Sequence, residues 1–264
     1  MPVVTDKKYY LDGYLVNQLE YCKNAVKDDW DVWIVIDGLE GAGKSTFAQQ
    51  IAYYLDPTFN IDRIAFSGRE HEQNILHDTT PCQAYILDEA GDGMESASHM
   101  TKFNKMLKRT SQKVRQYNLF NILCLPSFFD LAKYYAIHRS WCLINVDVEI
   151  DEEKKRLKRG KFFFYSRRRR KILYLKGKKE LNYNVAKANF YGRFTSKWVV
   201  DEAEYKRRKA RIKEIDPIML DAEFIRECLK RNMETILIRK YVSTPDQVDT
   251  IKKRYLESLS SAGQ

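Results

Sequence analysis

Residues 30–46 read Trp30-Asp31-Val32-Trp33-Ile34-Val35-Ile36-Asp37-Gly38-Leu39-Glu40-Gly41-Ala42-Gly43-Lys44-Ser45-Thr46, and their reading decides the fold. Trp30 to Asp37 is a compact apolar run with β-branched residues, a short buried strand. Gly38 to Ser45 then fits G-x-x-x-x-G-K-[ST] without a gap. A helix follows from about Lys44 to Leu55, broken by Asp56-Pro57. Glycines let such a loop close into a concave nest whose N–H groups face one centre. The helix N-terminus adds partial positive charge there. Gly38, Leu39, Glu40, Gly41, Ala42, Gly43, Lys44, Ser45 and Thr46 are therefore the expected nucleotide-binding residues. Lys44 is expected at the β- and γ-phosphates, Ser45 on Mg²⁺, and Thr46 at the α-phosphate side. The bland alternative is a glycine-rich turn with a chance lysine.

Working outward, leucines 11, 15 and 19 with Cys22 and Val26 predict an amphipathic helix over residues 8–28. Strands are predicted at Ile61–Phe66, Ala84–Leu87, Leu119–Leu125 and Trp141–Val148, and helices at 69–77 and 97–116. The last of these helices carries Met100, Phe103, Met106 and Leu107 on one face. Strands and helices alternate, which argues for a parallel α/β sheet with right-handed crossovers. Ligands on such sheets bind outside the carboxyl ends of the strands.

Tyr85-Ile86-Leu87-Asp88-Glu89 is an apolar strand ending in adjacent carboxylates, with Asp88 44 residues after Lys44. Asp88 is expected to hold Mg²⁺ and Glu89 to polarise the water that attacks the γ-phosphate. Taken alone, two carboxylates at a strand end could equally be a solvated turn.

The phosphate loop followed by a strand-terminal Asp-Glu resembles the P-loop ATPases that carry an additional catalytic glutamate, the RecA-like, FtsK/HerA-like and AAA+ branches. More narrowly, Ile86 to Gly91 and Leu125-Pro126-Ser127 resemble the ATPases of phages, archaeal viruses and plasmids, including Zot-type proteins. The resemblance covers roughly residues 30–150. It implies a RecA-like three-layer core with a mainly parallel sheet, ATP and Mg²⁺ as ligands, hydrolysis as the reaction, and a homo-oligomer. It also implies a strand between the other two that ends in a γ-phosphate sensor. Leu119–Leu125 has that place in the order, so Ser127 is the sensor candidate, or else the start of a helix at Phe128. Arg109, Arg115 and Arg139 are candidates for an arginine lent to a neighbouring subunit, or are plain surface arginines.

A second resemblance competes. Ile36 to Thr46 is also similar to the phosphate loop of thymidylate kinases, and a tetra-arginine turn could serve such an enzyme as a lid. Asp-Glu at a strand end argues instead for a hydrolase. Asp62-Arg63, similar to a kinase substrate pair, comes too early in the chain for that role.

The net charge of +10 is unevenly spread. Residues 154–179 hold 14 basic and no acidic side chains, whereas residues 1–153 hold 15 basic and 23 acidic ones. A uniformly basic, histone-like chain is excluded. Residues 161–176 are expected to form a hairpin around a tetra-arginine turn. Arg167, Arg168, Arg169, Arg170 and Lys171 would meet nucleic acid there, with Phe162 to Tyr165 either on bases or packed on the core. No sequence-reading motif is visible, so double-stranded DNA would be bound non-specifically. Helices are expected at 201–214, 217–240 and 245–258, the last capped by Thr244-Pro245-Asp246-Gln247.

The expected organisation is an ATPase core over 1–150, a basic hairpin and connector over 151–200, and a helical region over 201–264. The expected function is a DNA-translocating or packaging ATPase of a virus or mobile element, with a virion or mobile-element partner protein. The alternatives are a nucleoside monophosphate kinase and an ATP-switched virion assembly protein. No apolar run is long enough to span a bilayer, and Met1 to Lys8 lack the apolar stretch of a secretory signal. Five cysteines without a CxxC pair read as reduced thiols. A cytoplasmic protein is expected.

Overall fold

Strand β3 (Val32–Gly38) is buried along its length up to the terminal glycine, and the rest of the sheet is arranged about it. The computed structural model describes residues 3–4, 9–88, 97–151, 153, 155–214, 229 and 248–261. Six further strands join β3: β4 (Ile64–Ala65), β5 (Ala84–Asp88), β6 (Phe120–Cys124), β7 (Cys142–Asp151), β8 (Arg156–Tyr165) and β9 (Phe190–Arg193). Their order is β4-β5-β6-β3-β7-β8-β9. The strands from β4 to β7 are parallel, and β8 and β9 are added antiparallel. The first two strands, β1 (Val3–Val4) and β2 (Tyr10–Leu11), form a separate antiparallel ribbon.

Near-continuous apolar strands are what a sheet covered on both faces requires, and helices cover both. Alternate residues Trp33, Val35, Tyr85, Leu87, Leu123 and Leu143 point to one face. There they join Ile75 of α3 (Gly68–His77), Phe103 and Leu107 of α4 (Ala97–Val114), and Leu173 and Tyr174 of α5 (Arg167–Gly177) in one core cluster. The other face carries α1 (Gly13–Lys27) and α2 (Lys44–Leu55). Phe47 of α2 meets Phe162 of β8 there, ring centroids 5.0 Å apart. The chain is thus α/β with a mostly parallel, mixed seven-stranded sheet between two helical layers.

Several elements depart from expectation. The first helix begins at Gly13, not residue 8, because Asp12 caps it by accepting from Tyr14 N and Leu15 N at 2.9 and 3.2 Å, a contact worth about 1 kcal/mol. Ile61–Phe66 yields only two strand residues, since Asn60 accepts from Asp62 N at 2.9 Å and starts a 3₁₀ turn over Ile61–Arg63.

The expected hairpin at 161–176 does not form. The hairpin is β7 and β8, and the tetra-arginine run is the first turn of α5. Expected boundary 150/151 falls inside β7, whose partners β8 and β9 continue the same sheet. The chain divides into two compact units, Met1–Tyr205 and Lys206–Gln264. Helix α6 (Glu202–Glu214) begins in the first, and α7 (Val248–Ser261) belongs to the second. The expected helix at 217–240, apart from helical Leu229, and the cap Thr244 to Gln247 lie outside the described residues. Among the described residues no helix is long and apolar enough to cross a membrane.

Candidate functional site

The strand order puts β6 between β3 and β5, so the carboxyl ends of β3 and β5 flank that of β6 at one edge of the sheet. Gly38 ends β3 at φ 135°. A Cβ there would lie 2.1 Å from the carbonyl oxygen of Val146 on β7, so only glycine fits. Gly41 and Gly43 also have positive φ, 71° and 103°, which turns the loop over the start of α2. The Lys44 ammonium folds back along the loop and donates to the carbonyls of Gly38 and Leu39 at 2.6 and 2.9 Å. Thr46 is buried in the first turn of α2, while Glu40 and Gly41 are exposed at the loop crest.

Asp88 ends β5 and is 3 % exposed. Its carboxylate accepts from the hydroxyl of Tyr205, at the start of α6. The Ser45 side chain lies beside the same hydroxyl and acts on its titration. Tyr205 is itself buried, held between Phe66 and Trp198 with ring centroids 5.3 and 4.9 Å away. Burial and the neighbouring Asp88 carboxylate push its phenol well above the usual tyrosine range, so the hydroxyl stays protonated. Ser45 and Asp88 supply a hydroxyl and a carboxylate on one centre, the hard oxygen donors that suit Mg²⁺. Among the described residues no three His, Cys, Asp or Glu side chains gather into a ready-made metal site. A magnesium ion here would complete its shell with phosphate oxygens and water. Glu89 lies outside the described residues.

Sequence reasoning missed Asp37. It is fully buried beneath the loop and accepts from Asn145 Nδ2 and Phe128 N, each at 2.9 Å, and from the Tyr183 hydroxyl. Burial pushes its carboxyl up to about 6, with these donors and Lys44 pulling the other way. One side chain thus ties β3 to β7, to the turn after β6, and to the 3₁₀ turn Tyr183–Val185. Its only sequence signal is a carboxylate closing an apolar strand. Ser127 accepts from Phe129 N at 3.2 Å and caps the 3₁₀ turn Phe128–Asp130. It also lines a cavity of about 1240 Å³ with Gly38, Leu39, Asn145 and Tyr183, which keeps it beside the loop.

The three candidate arginines sort differently from one another. Arg139 forms a bidentate pair with buried Asp31 ahead of β3, at the amino ends of the parallel strands. That is the far edge from the glycine loop, and the side chain is only 15 % exposed, so Arg139 is not available to a neighbouring subunit. Arg109 pairs with Glu72 at 3.8 Å and Arg115 is exposed beyond the last turn of α4.

Arg170 is 0 % exposed and donates to the carbonyls of Ser140 and Ile137, the latter at 3.1 Å. It is a core residue, which corrects its expected role on nucleic acid. Arg167, Arg168, Arg169 and Lys171 are exposed. They sit where β8 ends, opposite Leu143 at the start of β7, so the tetra-arginine run is no lid over the glycine loop. Arg63, of the kinase-like pair, is locked to buried Asp56 at 2.5 Å.

The basic segment is also partly neutralised. Lys161 and Arg193 both pair with Glu149, at 2.9 and 2.7 Å. Arg156 stands across from Asp151, and Lys158 from Glu149. The strand between Arg156 and Tyr165 spans about 30 Å, so the hairpin cations and the α5 arginines form two groups at opposite edges of the sheet. No protein-family model matches the chain, and comparison with curated proteins finds no match.

Proposed function

We propose that the chain is a Mg²⁺-dependent ATP hydrolase of the P-loop type, working on nucleic acid. The observation that carries this reading is the convergence of Ser45 and Asp88 on one hydroxyl, beside a glycine loop that opens a helix. Two residues chosen by motif from separate parts of the chain meet at one point. The position of β6 between β3 and β5 adds support.

In this reading the loop N–H groups and the α2 N-terminus hold the phosphates, and Lys44 leaves the loop carbonyls for the β- and γ-phosphates. Ser45 and Asp88 hold the magnesium ion, which when bound neutralises charge developing on the phosphate oxygens. Glu89 takes the proton of the attacking water. Asp37 holds the loop's first residue against the floor formed by Phe128 and Asn145.

Nucleic acid is assigned to the exposed cations. Arg167, Arg168 and Arg169 crowd the positive end of the α5 dipole, where each cation costs a few tenths to about 1 kcal/mol unless an anion is present. Phosphate backbone would relieve that repulsion. The narrower role, movement or packaging of double-stranded DNA by a homo-oligomer of a virus or mobile element, rests on the resemblance carried by Ile86–Gly91 and Leu125–Ser127.

The test is ATP hydrolysis by the full chain with and without double-stranded DNA, alongside Lys44→Ala and Glu89→Gln. Lys44→Ala is expected to lose nucleotide binding, and Glu89→Gln to bind ATP and turn it over at least 100-fold more slowly. Full activity in Glu89→Gln overturns the assignment of the base. No hydrolysis under any condition overturns the reading.

A further inference from the structure

The β7–β8 hairpin does not stop at the phosphate loop. The last β3–β7 pair is Gly38 with Val146, yet β7 and β8 continue pairing to Asp151 with Arg156. About five residues of each strand, roughly 17 Å, overhang the carboxyl edge of the sheet. Within this arm the register shifts: Asp147 pairs with Lys161 and Glu149 with Lys158, so Arg159 and Gly160 together oppose Val148. A bulge re-aims the side chain it carries. Gly160 holds it with φ 97°, and a Cβ there would lie 2.6 Å from the carbonyl oxygen of Phe194. Phe194 N donates back to Gly160 O at 2.8 Å, and the Phe194 ring stacks on Phe47 of α2 at 4.2 Å. The bulge is therefore fixed to the helix that the loop opens.

The bulge turns Arg159 toward the loop. Its Nη2 lies 3.7 Å from the point a Cβ on residue 41 would occupy, over the loop crest. Arg159 is exposed and, unlike Lys161 and Arg193, has no ion-pair partner among the described residues. An exposed guanidinium is thus held over the crest of the loop that carries Lys44 and opens α2, with Glu40 the one carboxylate among the loop residues 38–45. One carboxylate does not balance Arg159, Lys44 and the helix N-terminus, so the loop favours a polyanion.

We propose that Arg159 is a phosphate-binding residue supplied by the same chain, which contacts the outer phosphates of a bound nucleoside triphosphate and selects triphosphate over monophosphate. This rests on the P-loop reading. The inner phosphate belongs with the first turn of α2, and the crest under Arg159 faces the outer ones. The planar fork suits two phosphate oxygens, which an ammonium does not match.

The experiment measures binding of Mg²⁺-ATP, ADP, AMP and inorganic pyrophosphate by titration calorimetry on the full chain. It compares wild type with Arg159→Ala, Arg159→Lys and, as a hairpin control, Arg156→Ala. Arg159→Ala is expected to weaken ATP about 10- to 100-fold and AMP less than 2-fold, with Arg159→Lys between. Arg156→Ala is expected to match wild type. ATP binding unchanged in Arg159→Ala overturns the proposal and leaves the P-loop reading standing. Equal weakening in Arg156→Ala also overturns it, since the arm's general charge would then suffice. Failure of wild type to bind any of the four overturns both.

Discussion

The hydroxyl of Tyr205 donates to the Asp88 carboxylate and lies beside the Ser45 side chain. It therefore stands where a magnesium ion held by those two groups would be. Ion and phenol compete for the same oxygens, so Tyr205→Phe is expected to lower the Mg²⁺ concentration for half-maximal nucleotide binding several-fold. Loss of the hydroxyl leaves a buried carboxylate short of a donor and costs about 1–3 kcal/mol of stability, so the comparison is made at a temperature where both proteins are folded. A Mg²⁺ titration of nucleotide affinity in both proteins decides it; a higher requirement in Tyr205→Phe would mean that the phenol assists the ion.

Buried Asp37 and buried His71 respond to acid in opposite senses. The Asp37 carboxyl is raised from 3.8 to about 6 by burial. Between those values the folded state binds a proton that the unfolded state lacks, so stability falls by about 3 kcal/mol as pH rises through the window. His71 is lowered from 6.5 to about 4, again by burial. Its neutral form favours folding, and about 3 kcal/mol is lost as pH falls from 6.5 to 4. Asp37→Asn should thus unmask the histidine, with a urea midpoint that drops more steeply from pH 6.5 to 4.5 than in wild type. Parallel midpoints for the two proteins would disprove the assignment.

Arg139 and Asp31 form a pair whose carboxylate is 6 % exposed as a residue and also accepts from Trp33 Nε1 at 2.9 Å. Removing the cation leaves a buried charge, so Arg139→Ala is expected to destabilise by about 3–5 kcal/mol, read from urea denaturation. At temperatures where the variant remains folded, nucleotide affinity should match wild type, because the pair lies at the opposite edge from the loop.

The neighbours in Arg167–Arg170 should behave unlike one another. Replacing Arg167, Arg168 and Arg169 together by alanine is expected to leave the thermal midpoint unchanged or higher. The slope of log K for DNA against log[salt] should shrink by about 3. Arg170→Ala strips two buried carbonyls of their donor and is expected to destabilise by about 2–5 kcal/mol. Equal effects from both would remove the distinction.

Much of the frame was legible. The helix at Lys44–Leu55 and the strand ends at Asp37 and Asp88 stand within a residue of their expected positions, since apolar runs, glycines and Asp-Pro mark them locally. Helix α5 was not legible. Its buried positions are 170, 173, 174 and 177, a helical period, but the first is an arginine and the last a glycine. The apolar rule therefore saw only Ile172 to Leu175 and read a strand. The outer half of β8 is exposed from Arg156 to Arg159, so no burial pattern marked it. Tyr205 and Asp88 are 117 residues apart, and Asp37 and Tyr183 are 146 apart; tertiary packing alone brings them together.

The contact between position 38 and Val146 separates two kinds of information in the loop motif. Gly38 is fixed by a backbone oxygen 2.1 Å from where any side chain would begin, a demand of the sheet that holds with no ligand at all. Lys44 rests on loop carbonyls that ask for no particular donor. On the proposed reading, a descendant that abandoned nucleotides would shed its lysine and keep its first glycine. Lys44 is then the letter that would separate a nucleotide site from its bare scaffold.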